Sequence, residues 1–110
     1  MSTFEELAQL LAEERHEPLN RILPTTRLRE DLGIDGDDWG DIFVRIQAKW
    51  DVSWGSFDCI EYFDPEPSLW AFVSMFTTRW RFGPKKPLTV SHLVSVIDRK
   101  AWFEPDSGAA

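Results

Sequence analysis

Apolar residues recur at helical spacing near the start of the chain, where they predict a first amphipathic helix. The apolar stripe of this helix consists of Phe4, Leu7, Ala8, Leu10 and Leu11. We predict Thr3 as its N-terminal cap, with Glu6 completing a capping box. Because a proline disfavours helical backbone at the residue before it, Pro18 predicts that the helix ends near His16.

A second and cleaner stripe predicts a helix that starts after Gly36, with Asp37 or Asp38 as its cap. Its apolar positions are Trp39, Ile42, Phe43, Ile46 and Trp50. Acidic residues lie at its N-terminal end, where the positive end of the helix dipole favours them. The pattern therefore predicts a helix with one buried face and an acidic start.

The connection between these two helices, roughly residues 17–36, is long for a compact domain. Such a segment is stable only if its apolar side chains are held by the core, so we predict that all six are buried. They are Leu19, Ile22, Leu23, Leu28, Leu32 and Ile34. Gly33 is predicted to adopt a backbone conformation that other residues disfavour.

The second half of the chain gives one further clear helix, which is predicted to begin after a Thr89 cap. The face predicted to be buried consists of Val90, Leu93, Val94, Ile97 and Ala101. Trp102 and Phe103 should fold back onto the core, and residues 104–110 should form a flexible tail. The apolar segment 68–82 fits either a buried helix or an extended chain. The prediction is a single all-α domain over residues 1–103.

Charge and cysteine content narrow the function classes. The net charge is −7, and residues 1–66 hold sixteen acids against six bases, which disfavours nucleic acid as a partner. The N-terminus lacks the pattern of a signal peptide, and no apolar run reaches membrane-spanning length. The single Cys59 excludes an intramolecular disulfide and is predicted to be a buried thiol. We therefore expect a cytoplasmic protein that binds neither nucleic acid nor membrane.

Four acids cluster at the start of the second helix, at Asp35, Asp37, Asp38 and Asp41. A calcium loop of the EF-hand type starting at Asp35 would need oxygen ligands where this chain has Trp39 and Ile46. We therefore interpret the four acids as a solvated helix start, with weak binding of a cation as the minor alternative. No nucleophile has a recognisable base nearby in sequence, and no metal-ligand or phosphate-binding motif is present. We therefore predict no enzyme activity, no metal and no cofactor.

The segment Asp31-Leu32-Gly33-Ile34-Asp35 resembles the D-L-G-x-D motif of acyl carrier proteins. Residues 26–38, with Phe57…Tyr62-Phe63 and Pro87-Leu88-Thr89-Val90…Leu93, resemble more narrowly a bacterial family of acyl-carrier-like proteins of unknown function. The resemblance implies a small acyl-carrier-like helical bundle with a long first connection. In true carriers the next residue is the serine that bears phosphopantetheine. Gly36 occupies that position here and has no hydroxyl to modify.

These observations predict a non-catalytic protein-interaction module without phosphopantetheine. Carrier proteins meet basic patches of their partner enzymes through acids at the start of this helix. The resemblance therefore implies a protein partner with a basic docking surface, contacted by acids that match at Asp35, Asp38 and Asp41. Asp37 stands where carriers have an apolar docking residue, and it joins the predicted partner-binding site because it belongs to the same acidic cluster. The alternative is an acyl carrier protein of fatty-acid or polyketide metabolism.

Overall fold

The structure, a computed structural model, describes residues 2–58, 61–63 and 86–105. Three α-helices lie in these ranges: α1 over Thr3–Arg15, α2 over Gly36–Trp50 and α3 over Val90–Arg99. A 3-10 helix over Leu19–Arg21 lies between α1 and α2, and the described residues form no strand. The helical prediction is therefore confirmed for these ranges. Cys59, the predicted apolar segment 68–82 and residues 106–110 lie outside the described residues.

The cap of α1 is Ser2, one residue before the predicted cap. The Ser2 hydroxyl accepts a hydrogen bond from the Glu5 backbone N–H at 3.1 Å, and Glu5 Oε1 accepts one from the Ser2 backbone N–H at 3.2 Å. The Thr3 hydroxyl instead donates to Asp98 Oδ1 at 2.6 Å and links α1 to α3. The prediction of Thr3 and Glu6 was wrong by one residue, because two overlapping sequences fit the same capping pattern.

The buried apolar side chains of the described residues form one hydrophobic core, where α1 packs against both α2 and α3. The buried helical residues are Leu7, Ala8, Leu10 and Leu11 of α1, Trp39, Ile42 and Ile46 of α2, and Val90, Leu93, Val96 and Ile97 of α3. Phe43 and Trp50 are only partly buried against this core. On α3 the prediction was partly wrong, because Val96 is buried whereas Ala101 is exposed.

The connection between α1 and α2 is attached to the chain around the start of α3. The Leu28 N–H donates to the Leu88 carbonyl at 2.9 Å, and the Val90 N–H donates to the Thr26 carbonyl at 2.9 Å. Of the six apolar residues predicted to be buried, Ile22, Leu28, Leu32 and Ile34 are buried. Leu19 and Leu23 are instead 55% and 53% exposed, so that prediction was wrong for these two.

The residues after α3 return to the core, as predicted for Trp102 and Phe103. The Trp102 ring meets Phe57 edge-on at 4.6 Å and Tyr62 edge-on at 5.5 Å between ring centroids. Glu104, which the sequence analysis assigned to a tail, accepts a hydrogen bond from the Tyr62 hydroxyl at 2.6 Å. Trp102 Nε1 donates to the other carboxylate oxygen of Glu104 at 3.3 Å. Glu104 therefore helps to hold the C-terminal segment against the aromatic cluster.

The contact between Tyr62 and Glu104 predicts a pH-dependent contribution to stability. The hydrogen bond from the buried Tyr62 hydroxyl lowers the pKa of the Glu104 carboxyl from its ordinary value of 4.5. A lowered folded-state pKa stabilises the fold above the unfolded-state pKa, and this contribution is lost as pH falls through the folded-state pKa. We expect Tyr62→Phe to lower the free energy of unfolding by about 1–2 kcal/mol at neutral pH and by less at about pH 3.

Urea denaturation followed by circular dichroism at the two pH values measures this difference. The matched control is Tyr62→Phe in a Glu104→Gln background, where the loss should no longer depend on pH. If Tyr62→Phe lowered the free energy of unfolding equally at both pH values in the chain that retains Glu104, the proposed role of the Tyr62–Glu104 hydrogen bond would be contradicted.

Candidate functional site

The start of α2 is built by two of the four predicted site acids. Asp35 is the N-cap, and its Oδ1 accepts a hydrogen bond from the Asp38 backbone N–H at 2.9 Å. Asp38 returns the contact, since its Oδ2 accepts a hydrogen bond from the Asp35 backbone N–H at 3.4 Å. The prediction of Asp37 or Asp38 as the cap was therefore wrong. The Asp35 and Asp38 carboxylates are used within the protein to begin the helix.

Arg15 at the end of α1 holds this helix start in place. Its Nη1 lies 3.0 Å from Asp38 Oδ2. Its Nε donates to the Leu32 carbonyl at 3.1 Å, and its Nη2 donates to the Gly33 carbonyl at 3.4 Å. One guanidinium thus connects α1, the end of the long connection and the first turn of α2.

Gly33 gives the connection the turn that this arrangement needs. Its φ of +68° lies in the left-handed region, which side chains disfavour, and this confirms the predicted special conformation. The neighbouring Ile34 N–H donates to the Leu28 carbonyl at 3.2 Å and closes the loop. The loop therefore presents the Leu32 and Gly33 carbonyls to Arg15.

The other two predicted site acids have a different environment. Asp37 and Asp41 are exposed and lie one helical turn apart on α2. No lysine or arginine nitrogen of the described residues lies within 4.0 Å of either carboxylate. The structure thus separates the four acids into a structural pair, Asp35 and Asp38, and an exposed pair without a cation.

The exposed pair continues into an uncharged surface on the same side of α2. Val44 follows Asp41 at helical spacing and is 66% exposed, the most exposed of the large apolar side chains in the described ranges. A Cβ atom added at Gly40 would meet nothing within 4 Å, so the helix is open there. We call Asp37, Gly40, Asp41 and Val44 the α2 outer face.

Sequence reasoning missed Arg15 and Val44. Arg15 is a basic residue in the last turn of a helix, where the helix dipole alone accounts for it, and nothing local indicates a contact with α2. Val44 could have been found, because it falls outside the buried stripe formed by Trp39, Ile42 and Ile46. A large apolar residue on the polar side of an amphipathic helix is the available signal.

Gly36 is the first residue of α2 and directly follows the Asp35 cap. A residue at this position lies at the helix N-terminus, where the resemblance expects the attachment serine. In the described ranges no group of three or more histidine, cysteine or acidic side chains is arranged to hold a metal ion. None of the helices in those ranges is long and apolar enough to cross a membrane.

Comparisons with known proteins place the chain at the level of a family. No curated protein matches it. A family described as a protein of unknown function (DUF1493) matches residues 5–103. This range covers α1 from its third residue, all of α2 and all of α3, and it includes every residue of the α2 outer face. The chain therefore belongs to this family of proteins of unknown function.

Proposed function

We propose that this protein is a non-catalytic interaction module that binds a basic surface of another protein through the α2 outer face. The observation that carries the proposal is the pair Asp37 and Asp41, whose exposed carboxylates have no cation within 4.0 Å among the described residues. Two like charges one turn apart repel each other, so the free protein gains nothing from their proximity. A basic surface of a partner protein would attract both carboxylates and offset their mutual repulsion.

Several other acids of the described helices and connection pair with the protein's own cations. Glu13 and Glu14 share Arg45, with nitrogen-to-oxygen distances of 2.8 and 3.2 Å. Asp31 pairs with Arg27 at 3.1 Å, and hydrogen bonds from Arg27 lower the pKa of its carboxyl. By contrast, no cation of the described residues lies within 4.0 Å of Asp37 or Asp41.

The helix dipole accounts for only one acid of the exposed pair. Asp37 lies in the first turn of α2, where the dipole stabilises a negative charge. Asp41 lies beyond that turn, and the effect of the dipole falls off within the first turn. Stabilisation by the helix dipole therefore accounts for an acid at Asp37 but not for one at Asp41, which is consistent with a role for Asp41 in binding.

Val44 and Gly40 support a protein partner rather than a dissolved cation. Protein interfaces combine an apolar centre with a polar rim, and they need close approach of the two surfaces. On the α2 outer face, Val44 supplies exposed apolar area beside Asp41, while Gly40 leaves the helix backbone accessible. The surface thus offers both kinds of contact within two helical turns.

The acyl-carrier resemblance remains a second line of support for this location and not for carrier chemistry. α2 begins at Gly36 directly after Asp35, and of the two exposed acids it is Asp41 at which the resemblance implies partner contact. Asp37 stands where carriers have an apolar docking residue, so its part in the proposal rests on its charge and exposure. Gly36 lacks the hydroxyl that attachment of phosphopantetheine requires. The alternative function, an acyl carrier, would therefore need attachment at a different residue.

The test compares variants of the exposed pair with the wild-type chain. A tagged chain is used to capture partners from its host, and the affinity of each purified companion is then measured by calorimetry. We expect Asp37→Asn/Asp41→Asn to weaken binding by about 2- to 30-fold, since two exposed ion pairs contribute about 0.2–1 kcal/mol each. Higher salt should reduce the difference between the two proteins.

The matched control removes the same charge elsewhere, through Glu13→Gln and Asp51→Asn. It should keep wild-type affinity, because Arg45 retains Glu14 and Asp51 lies at the opposite end of α2. Asp35 and Asp38 are left unchanged in both variants, since their loss would disturb the helix start itself. Equal weakening by both variants would contradict docking at this face. An intact mass showing pantetheine on the chain would favour the carrier alternative.

A further inference from the structure

A polar cleft lies along α3 at some distance in sequence from the α2 outer face. The cleft is open to solvent along much of its extent, and its volume of about 480 Å³ is within the range of about 300–1,000 Å³ seen for small-molecule sites. Its lining residues are Thr89, Ser91, His92, Ser95, Arg99, Phe103 and Pro105. None of these described lining residues is acidic, although the whole chain carries a net charge of −7. Arg99 is the one residue with a permanent charge among these lining residues, and the Glu104 carboxylate interacts electrostatically with His92.

Arg99 contributes a positive charge to the cleft, and no carboxylate oxygen of the described residues lies within 4.0 Å of it. Each of the other arginines in the described ranges lies within 4.0 Å of a carboxylate oxygen. Arg99 instead lies over the ring of Phe103, with 4.2 Å between the guanidinium carbon and the ring centroid. A guanidinium that lies on an aromatic face can still donate hydrogen bonds to a ligand, because its N–H groups point outward in the plane of the guanidinium.

Phe103, whose ring lies under this guanidinium, also lines the cleft. The Phe103 ring meets the His92 ring edge-on at 4.5 Å between centroids. The Phe103 carbonyl also accepts a hydrogen bond from His92 Nε2 at 2.8 Å. Since a carbonyl only accepts, Nε2 carries the proton. Arg99, an exposed residue at the end of α3, is therefore held over a ring that itself packs against His92 of the first helical turn.

Two serine hydroxyls share this side of α3. Ser91, Ser95 and Arg99 follow one another at intervals of four residues, which places them along one helix face. Ser95 Oγ now donates to the Ser91 carbonyl at 3.2 Å, and Ser91 Oγ lies 3.2 Å from Thr89 Oγ1. A hydroxyl hydrogen rotates, so each serine can donate to an incoming oxyanion instead.

We propose that this cleft binds the phosphate group of a small soluble molecule. Arg99 would donate two hydrogen bonds to phosphate oxygens, a geometry that suits guanidinium and phosphate, and Ser95 would donate a third. The space toward Ser91 and Thr89 would hold the part of the molecule that carries the phosphate. This proposal rests on α3 and is independent of docking by the α2 outer face.

The experiment is a titration of the ¹⁵N-labelled full chain with inorganic phosphate and with glycerol 3-phosphate, at constant ionic strength. We expect saturable shifts of the α3 amides and of the Trp102 indole, whose ring lies 5.4 Å from that of His92. Arg99→Gln should weaken binding at least about tenfold, because charge-assisted hydrogen bonds are roughly twice as strong as neutral ones. Ser95→Ala should weaken binding less.

The matched control is Arg21→Gln, which removes an exposed guanidinium that is paired with Glu17 and lies outside the cleft. It should bind both probes as the wild type does. Equal weakening by Arg21→Gln and Arg99→Gln, or equal shifts on addition of sodium chloride, would overturn the proposal. Retention on phosphatidic acid vesicles without binding of either soluble probe would assign the contact to a lipid headgroup and would also overturn it.

Discussion

Replacing Trp39 by alanine is expected to lower the free energy of unfolding by about 3–5 kcal/mol, the range seen for large aromatic residues in cores. Trp39 is 4% exposed and lies on the buried side of α2. Its ring stacks on Phe63 at 5.0 Å and meets Trp54 edge-on at 5.9 Å between centroids. The substitution removes both contacts and leaves a cavity between α2 and the residues after it. Urea denaturation followed by far-ultraviolet circular dichroism measures the loss.

Trp50→Ala on the same helix is the matched control for this prediction. Trp50 is only partly buried against the core, so its removal exposes less apolar surface and leaves no closed cavity. We expect a clearly smaller loss than for Trp39→Ala. Losses of equal size would mean that the Trp39 cluster contributes no more than an ordinary partly buried ring.

Replacing Arg15 by methionine is expected to cost about 1.5–3 kcal/mol, the scale of a partly buried hydrogen bond to a charged group. Methionine keeps much of the aliphatic stem but removes the contacts with the Leu32 carbonyl, the Gly33 carbonyl and Asp38. Asp38 would lose its cation while it remains part of the α2 cap. We expect faster hydrogen exchange at the amides of the first turn of α2, in addition to the lower stability.

Arg21→Met provides the comparison for Arg15. Arg21 pairs with Glu17 at 3.3 Å on the surface, and an exposed pair of this kind contributes about 0–1 kcal/mol. A double-mutant cycle with Asp38→Asn isolates the ion pair from the two carbonyl contacts. Additive effects of Arg15→Met and Asp38→Asn would contradict a direct coupling between these side chains.

The contact between Arg15 and Asp38 also determines which substitutions can test the proposed docking surface. Changes at Asp35 or Asp38 alter the start of α2 and would weaken any partner indirectly. Changes at Asp37 and Asp41 alter exposed charge without touching a hydrogen bond of the described structure. A loss of binding can therefore be attributed to the α2 outer face only when the substitutions are made at Asp37 and Asp41.

Local pattern was sufficient to predict the helices of the described ranges and much of their buried surface. The apolar spacing of Leu7 and Leu11 on α1, and of Trp39, Ile42 and Ile46 on α2, corresponds to residues that are buried. The Thr89 cap of α3 and the left-handed Gly33 were also predicted correctly. These features depend on helical periodicity and on backbone chemistry within a few residues, which a sequence displays directly.

The division of the four acids into a structural pair and an exposed pair could not be predicted in this way. Asp35, Asp37, Asp38 and Asp41 look alike in sequence, and only the capping contacts and Arg15 distinguish the structural pair from the exposed pair. The same holds for the cleft along α3. Its lining joins a helix face to Phe103 and Pro105, which reach it only because the chain turns back after the helix.

By itself, the sequence determined the helical class, the three apolar stripes, the turn at Gly33 and the presence of glycine rather than serine at position 36. The tertiary structure alone decided that Leu19 and Leu23 stay exposed while Leu28 and Ile34 enter the core. It also decided that Arg15 contacts the start of α2, whereas Arg99 lies over the Phe103 ring and pairs with no carboxylate in the described part of the chain. The physical reason is that burial and ion pairing depend on which distant segments meet in space. Periodicity and capping depend only on neighbours along the chain.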